Sequence, residues 1–406
     1  MPFITVSEMG TLTVDISAAR HIDTTSHSLL AKSKCSPGTV LLSMAGTVGK
    51  VAVIPSGALE CNSNQDLAKI VINPDLADAH CLAAYLATSV GQAACFREAA
   101  GAIQKHLYLY NIESLPIPDI PQPIRLAIGN KVRVAERLRE EAASSRRTLH
   151  TWLNSTLPEW EPPSEQMSVK PTFCCNFHSD RLDAWFNHPR FQELEHCLSD
   201  CENLIALSDV ASSTEERWSR ASSEIEYIEI GEFDLSHGIV YGTILKGDVA
   251  PSRAQILAHR GDVAVSLVRP NRKNIAFIQG SGIRPIVVTS GCSVLRFANP
   301  ETAALYSVIL RHNAVTYQLM RWNTGTSYPA IEQLRLDRIF VPAIPEGQQE
   351  RLLAAATKAV TGQERAGVLV AAAIADVEHL IEGKLDEAAC LEEGCQLAEE
   401  FGFEKP

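Results

Sequence analysis

The sequence predicts an α+β fold made of two mixed α/β domains in tandem, each followed by a long helix, with the two helices paired. Three observations predict it. The sequence repeats at an offset of 224 residues, each copy carries short β-rich runs followed by helical stretches, and apolar residues recur every seventh position after each copy. Solenoid repeats are about 20–50 residues long, so a repeat of this length indicates a duplicated domain.

The repeat is clearest at the two ends of each copy. Residues 3–9 (FITVSEM) return as residues 227–233 (YIEIGEF), and residues 117–121 (IPDIP) return as residues 341–345 (VPAIP). From Arg97, which matches Arg321, the alignment needs no gap. We therefore expect both copies to share one order of strands and helices.

The strands and helices of each copy follow from runs of β-branched residues and from apolar periodicity. In the first copy we predict strands at 3–6, 40–42, 51–54 and 67–72, a glycine turn at 45–50, and a helix from 75 to 94. In the second copy we predict strands at 263–268, 275–278 and 286–288, and a helix from about 300 to 321.

A regular apolar seam follows each copy, after Pro121 and after Pro345. Its positions are Ile128, Ala135, Ala142 and Leu149 in the first helix, and Leu352, Ala359, Ala366, Ala373 and Leu380 in the second. Seven-residue spacing is typical of helices that pack against each other, and alanine at the seam allows a close approach. The alternative is two separate amphipathic helices, each packed on its own domain.

The repeat and the helices set the expected domain boundaries. These are a first domain at 1–121, a first helix at 122–158, a linker at 159–175, a second domain at 176–345, a second helix at 346–384, and an acidic tail at 385–406. The second copy has a front section, residues 181–218, that the first copy lacks. Either the start of the chain is assigned too far downstream, or the first domain is a shortened variant.

Composition narrows the class of protein. No apolar run reaches the roughly 18 residues that span a bilayer, and no signal peptide precedes the first strand, so we expect a cytoplasmic protein. The net charge of −12 argues against a generic nucleic-acid binder. The charge is uneven, however, because residues 125–147 are basic and residues 384–406 are acidic.

No catalytic, cofactor or metal motif stands out. Residues 46–50 (GTVGK) suggest a phosphate-binding loop, but the glycine spacing is wrong and valine follows Lys50. The cysteines and histidines between Cys174 and Cys201 match no standard zinc spacing. We therefore expect neither an enzyme nor a bound cofactor or metal.

The order of motifs in both copies resembles the specificity (S) subunit of type I restriction-modification enzymes, with the first domain shortened at its N-terminus. The segments that carry the resemblance are 38–52, 101–107 and 115–118 in the first copy, and 181–183, 227–230, 325–328 and 340–342 in the second. It covers nearly the whole chain except the acidic tail.

The resemblance implies a non-catalytic subunit. Each domain would be a target-recognition domain that reads one half of a split site in double-stranded DNA. The two helices would form an antiparallel coiled coil that docks two methyltransferase (M) subunits, and restriction (R) subunits would join them. A degenerate or truncated scaffold with one working recognition domain is the alternative. A stand-alone enzyme acting on a small ligand is a more distant one.

Polar and basic residues in the loops beside the strands are the candidates for DNA contact, because Arg and Lys bind phosphates or guanine and Asn or Gln pairs with adenine. The candidates are Lys50, Gln104, Lys105 and His106 in the first copy, and Arg269, Asn271, Arg272, Lys273, Arg284 and Tyr328 in the second. The alternative for each is an ordinary solvated loop residue. Arg97 and Arg321 are interpreted as structural or phosphate-contacting residues.

Overall fold

The computed structural model describes residues 1–101, 105–161, 181–324, 329–332 and 334–406. The chain forms two compact units. Unit 1 comprises Met1–Glu140 and Gln363–Pro406, and unit 2 comprises Glu141–Gly362. Across the described part of the chain, no helix has the length and apolar character needed to cross a membrane.

Unit 1 contains two four-stranded sheets. The first has the strand order Arg20–His21, Pro2–Ile4, Cys61–Ser63, Lys34–Cys35. The second has the order Leu12–Thr13, Val51–Val53, Val40–Ser43, Leu67–Ile70. In the second sheet, Val40 pairs with Val53 on one side and with Ile70 on the other, both antiparallel.

Unit 2 contains a four-stranded, a five-stranded and a two-stranded sheet. The four-stranded sheet has the order Thr243–Lys246, Glu224–Ile228, Ile286–Thr289, Ala254–Ala258. The five-stranded sheet has the order Ala211–Ser213, Cys292–Phe297, Val263–Ser266, Ile275–Ile278, Ile239–Val240. The third sheet pairs Phe340–Pro342 with Leu204–Ala206.

The two units share their sheet topology. Each strand of the first sheet of unit 1 has a counterpart, about 224 residues later, at the same place in the four-stranded sheet of unit 2. The second sheet of unit 1 likewise matches the five-stranded sheet, except that unit 2 adds the edge strand Ala211–Ser213. That strand belongs to the front section, so the front section completes a sheet edge.

The short helices differ from the sequence prediction. They are Thr24–Leu29, Ala79–Ala87, Ser89–Glu98 and Leu109–Glu113 in unit 1, and Pro189–Ser199, Pro300–Ile309 and Asn313–Arg321 in unit 2. The single helix predicted in each copy is thus two helices. The break falls at matching residues: the Thr88 hydroxyl accepts a hydrogen bond from Gly91 N (3.0 Å), and His312 Nδ1 accepts one from Ala314 N (3.3 Å). Each side chain caps a new helix N-terminus.

The first long helix spans Gln122–Thr156 and the second spans Gln349–Ile381. All seam positions from Ile128 to Leu149 and from Leu352 to Ala373 are at most 1% exposed, and Leu380 is partly buried. In unit 1, Lys131 Nζ donates to the Asp376 carboxylate at 2.6 Å. In unit 2, Arg146 donates to Ala359 O at 3.2 Å. The long helices therefore pack against each other, as the seven-residue spacing predicts.

The C-terminal residues include a further helix, Glu387–Phe401, which packs in unit 1. Its Cys390 and Leu397 join the apolar core that contains Ile128 and Ala373. Gly394 lies against Ala127, where a Cβ would come within 2.7 Å of the Ala127 backbone. The close approach requires glycine at this position, so the segment predicted as an acidic tail is part of the packed unit.

Candidate nucleic-acid interface

In unit 1 the predicted glycine turn joins two central strands. Ser43 N donates to Lys50 O at 2.8 Å, and Gly46 and Gly49 have φ of +71° and +89°, which glycine adopts without strain. Leu107 N donates to Met44 O at 2.8 Å. Residues 105–108 therefore lie beside the turn, and Lys50, Lys105 and His106 belong to one region of unit 1.

Unit 2 has the same arrangement at the matching positions. Ile331 N donates to Leu267 O at 2.8 Å, and Arg269 N donates to Pro329 O at 2.7 Å. The loop at 269–273 thus lies beside the segment that follows helix Asn313–Arg321. The fold brings the turn and the post-helix segment together in both units, although more than 50 residues separate them in the sequence.

The loop at 269–273 has a fixed backbone. Arg269 and Lys273 have φ of +51° and +54°, and Pro270, between them in a short 3-10 turn, is buried. Asn271 and Arg272 at the tip are exposed, whereas Arg269 and Lys273 are half-buried. The loop therefore presents an amide and a guanidinium to solvent on a constrained backbone.

Two of the three described candidates of unit 1, Lys50 and His106, are half-buried. Lys50 is half-buried and its Nζ donates to Val6 O at 3.3 Å, so part of its hydrogen-bonding capacity is used inside the unit. Lys105 is exposed. The His106 ring lies 4.7 Å from Tyr108, which in turn stacks on Tyr110 at 5.5 Å. The two tyrosines are exposed and extend the candidate surface.

Two candidates lie outside the described residues, and two arginines are paired within unit 2. Gln104 and Tyr328 lie outside the described residues. Arg284 Nε donates to the Glu224 carboxylate at 2.8 Å. Arg321 is buried, donates to Phe186 O at 3.1 Å and forms an ion pair with Glu195, so it is structural. Arg97, which occupies the position in the first copy that matches Arg321, is exposed.

Much of the basic segment at 125–147 serves the fold rather than an external anion. Lys131 forms ion pairs with Asp376 and Glu393, and Arg133 forms one with Asp78. Arg139 is half-buried and donates to Thr11 O at 2.8 Å. Side chains already paired inside the unit contribute little to an electrostatic footprint on the surface.

Unit 2 also holds a basic cluster that sequence reasoning missed, made of Arg146, His150, Lys273, Arg311 and His312. His150 is exposed on the first long helix, but desolvation by the protein atoms around its ring lowers its pKa, and the charges of Arg311, Lys273 and Arg146 lower it further. Burial, Lys273 and His150 lower the pKa of His312 in the same way. Burial and Arg311 also lower the pKa of Lys273. An anion placed here would relieve this repulsion.

No pattern in the sequence predicts this basic cluster. Its members come from the first long helix, the loop at 269–273 and the break between two helices, and only the fold joins them. Of the predicted candidates, Lys273 alone belongs to it. The basic cluster therefore extends the candidate surface of unit 2 from the loop toward the first long helix.

The cysteine and histidine residues near 174–201 give no metal centre in the described chain. Cys174, Cys175 and His178 lie outside the described residues. Cys201 Sγ contacts Cys197 O at 3.5 Å. Within the described ranges, no three His, Cys, Asp or Glu side chains are grouped so that they could hold a metal ion.

Neither a family model nor a curated protein matches the chain. Among solved structures, the chain is similar to a type I restriction-modification S subunit from M. genitalium, with 12% identity, a TM-score of 0.41, and coverage of 97% of this chain and 88% of that chain. The HsdS subunit from Thermoanaerobacter tengcongensis is 15% identical, with a TM-score of 0.27 and coverage of 97% and 89%.

A third solved structure concerns the structural basis of complex assembly and conformational transition in the type I restriction-modification system. It is 14% identical, with a TM-score of 0.30 and coverage of 97% and 90%. Two of these three solved structures, the first and the third, come from the type I restriction-modification system. At TM-scores below 0.5 the likeness carries no weight for function, which we infer from the residues of this chain.

Proposed function

We propose that the chain is a non-catalytic subunit that recognises a bipartite site in double-stranded DNA and directs methyltransferase and restriction subunits to it. The observation that carries the proposal is the repeated surface. In each unit the same turn and the same post-helix segment meet, and in each they bring polar, basic or aromatic side chains together. Two copies of one surface in one chain suit a target that is read at two places.

The side chains on these surfaces suit the chemistry of DNA recognition. Arg272 can bind two acceptors on guanine, and Asn271 can pair with adenine. The basic cluster of unit 2 suits contact with the phosphate backbone, which positions a protein without reading sequence. In unit 1, Lys105 and the stacked pair Tyr108 and Tyr110 occupy the corresponding region.

The long helices suit a spacer and a docking element. In unit 1 the beginning of the first helix packs with the end of the second, as Lys131 and Asp376 indicate. In unit 2 the end of the first packs with the beginning of the second, as Arg146 and Ala359 indicate. These contacts favour an antiparallel coiled coil, whose pseudo-twofold symmetry suits two methyltransferase subunits, with restriction subunits joining the assembly.

The test is a map of adenine methylation in the cells that produce the protein. Deleting the gene should remove methylation at one split motif, and restoring the gene should return it. The matched control is a gene encoding Arg351→Ala, which removes an exposed arginine on the second long helix, an element that supplies no residue of either candidate surface. Identical methylation with and without the gene would refute the proposal.

A second candidate function is a scaffold with one working recognition domain. One difference between the units favours it. In unit 1 the Lys50 ammonium group donates to Val6 O, whereas in the unit 2 loop the side chains of Asn271 and Arg272 are exposed to solvent. In that case the restored motif would be specified on one side only. A motif with two specified halves would exclude the scaffold.

A further inference from the structure

Two cysteines face each other across neighbouring strands of unit 1. Cys35, in strand Lys34–Cys35, is paired with Cys61, in strand Cys61–Ser63, and the two strands are antiparallel. Directly opposed residues of antiparallel strands have Cα atoms about 4.5 or 5.5 Å apart, depending on the kind of pair. A disulfide joins Cα atoms that are about 4.4–6.8 Å apart, so the backbone already holds these two cysteines at a separation that a disulfide spans.

The two cysteine side chains belong to the same apolar core. Cys35 is 2% exposed, Cys61 is fully buried, and both pack in the core that contains Ile4 and Ile54. Both are free thiols. Cys61 Sγ lies 3.8 Å from Cys35 O, and the two sulfur atoms share a hydrogen bond. The sulfur atoms are therefore neighbours on one face of the sheet.

The matching place in unit 2 shows that the fold does not need thiols here. In the four-stranded sheet of unit 2, the corresponding strands place Ala258 opposite Ile286. Both residues are buried, and neither carries a reactive group. Since alanine and isoleucine fill this place in the same topology, packing alone does not account for two opposed cysteines in unit 1.

The surroundings give the two thiols different reactivity. The hydrogen bond with Cys61 lowers the pKa of the Cys35 thiol to about 7 against the effect of burial, and the charge of Lys69 lowers it further. The same hydrogen bond and burial raise the pKa of the Cys61 thiol. For comparison, burial raises the pKa of Cys292 in unit 2 to about 12. Because the thiolate is the nucleophile, Cys35 is the cysteine of the pair that reacts first.

We propose that Cys35 and Cys61 form a thiol-oxidation site, in which a hydroperoxide converts the two thiols into one disulfide across the strands. The Cys35 thiolate attacks a peroxide oxygen, the O–O bond breaks, and the leaving hydroxide takes up a proton, which leaves a sulfenic acid on Cys35. The Cys61 sulfur then attacks the Cys35 sulfur, and the displaced hydroxide leaves as water with the Cys61 proton. With hydrogen peroxide, two thiols are oxidised and one peroxide is reduced to two waters.

Access to the site depends on the outer strand of the sheet. Strand Lys34–Cys35 is two residues long and lies at the sheet edge, so local opening can uncover Cys35 without unfolding of the unit. Polar contacts hold the preceding segment: Asn62 Nδ2 donates to Leu30 O at 3.1 Å, and Asn62 Oδ1 lies 2.6 Å from His27 Nδ1. A disulfide would fix the same segment covalently and suppress its opening. This inference does not rest on the proposed function.

The test uses the full-length reduced protein, treated with hydrogen peroxide at neutral pH at a dose that fully oxidises added glutathione. The protein is then alkylated and digested without reductant for mass spectrometry. We expect a peptide pair that joins Cys35 to Cys61 and separates after dithiothreitol. Hydrogen exchange in residues 24–35 should be at least about tenfold slower in the oxidised protein.

Two variants separate the steps of the reaction. Cys61→Ala should stop it at the sulfenic acid of Cys35, which dimedone labels. Cys35→Ala introduces the residue type of Ala258 and should leave Cys61 unlabelled and hydrogen exchange unchanged by peroxide. The matched control is Cys95→Ala, which removes another buried thiol of unit 1 and should leave the link between Cys35 and Cys61 in place.

Circular dichroism checks the folding of each variant, and the link in the wild-type protein is measured without them. An oxidised wild-type protein without a link between Cys35 and Cys61 would overturn the proposal. So would a link from either residue to a different cysteine, or a link that leaves hydrogen exchange in residues 24–35 unchanged.

Discussion

At the scale of single residues, His312 of the basic cluster should make the stability of unit 2 depend on pH. Burial and neighbouring cations lower the pKa of His312, and the neutral ring accepts the hydrogen bond from Ala314 N that caps a helix. Between this lowered pKa and the ordinary value near 6.5, the unfolded chain binds more protons than the folded chain. Stability of unit 2 should therefore be complete above about pH 6.5 and fall as the pH is lowered toward the pKa of the folded state.

The variant His312→Asn should flatten this pH dependence, because asparagine caps a helix without titrating. All five tryptophans lie in unit 2, so urea unfolding followed by tryptophan fluorescence reports on that unit alone. The control is His21→Asn, at an exposed position of unit 1. An equally steep loss of stability on acidification in His312→Asn would contradict the assignment.

The candidate surface could be predicted from the sequence only where one segment supplies it. The loop at 269–273 is recognisable because its basic and amide residues are adjacent. Lys50 also has the right residue type and turn, but no sequence pattern reveals that Val6 O holds its ammonium group. The basic cluster needs His150 and His312 to meet, and their proximity follows from tertiary packing alone.

At the scale of elements, the long-helix seam should not tolerate a charge. Ala366 is fully buried, so Ala366→Glu places a carboxylate among apolar side chains and adds bulk. We expect a loss of at least about 3 kcal/mol in the stability of unit 1. Val368→Glu is the control on the same helix: Val368 is 64% exposed, and the change should stay within about 0.5 kcal/mol. Thermal unfolding by circular dichroism measures both, and equal effects would contradict the seam.

The terminal helix Glu387–Phe401 should stabilise unit 1 rather than act as a free acidic tail. Lys131 is almost fully buried; burial alone would lower its pKa, but hydrogen bonds to Asp376 and Glu393 outweigh burial and raise it. Deleting residues 385–406 removes Glu393 and uncovers the core around Ala127. We expect faster hydrogen exchange in unit 1 and unchanged tryptophan fluorescence; unchanged exchange would mean that the helix does not support the unit.

Regular spacing was predictable at this scale, and breaks in it were not. Seven-residue periodicity depends on burial along one face, so the seam residues could be read directly from the sequence. The breaks at Thr88 and His312 interrupt helices whose apolar pattern continues across them. A single side-chain cap decides such a break, and its effect depends on backbone geometry that periodicity does not record.

At the scale of the whole molecule, the duplication of one domain is the property that the sequence predicts most directly. A constant offset implies one topology in two units, and the strand orders agree apart from the edge strand Ala211–Ser213. The different surroundings of matching residues in the two units were not predictable in the same way. Phe96 and Ile117 are exposed in unit 1, whereas their counterparts Met320 and Val341 are buried in unit 2.

Division of labour between the two units gives the last prediction. The variant Arg269→Ala, Arg272→Ala, Lys273→Ala removes three basic side chains from the loop of unit 2. Lost phosphate contacts should weaken binding to all sequences alike and reduce its dependence on salt. A lost base contact should relax one half of the recognised site by about 1–3 kcal/mol.

Mapping methylated positions in cells that carry the wild-type or variant protein separates the two effects. Degeneracy in one half-site indicates base reading by this loop, and fewer methylated sites with an unchanged motif indicate phosphate contact. An unchanged motif at unchanged efficiency would make the loop an ordinary solvated surface.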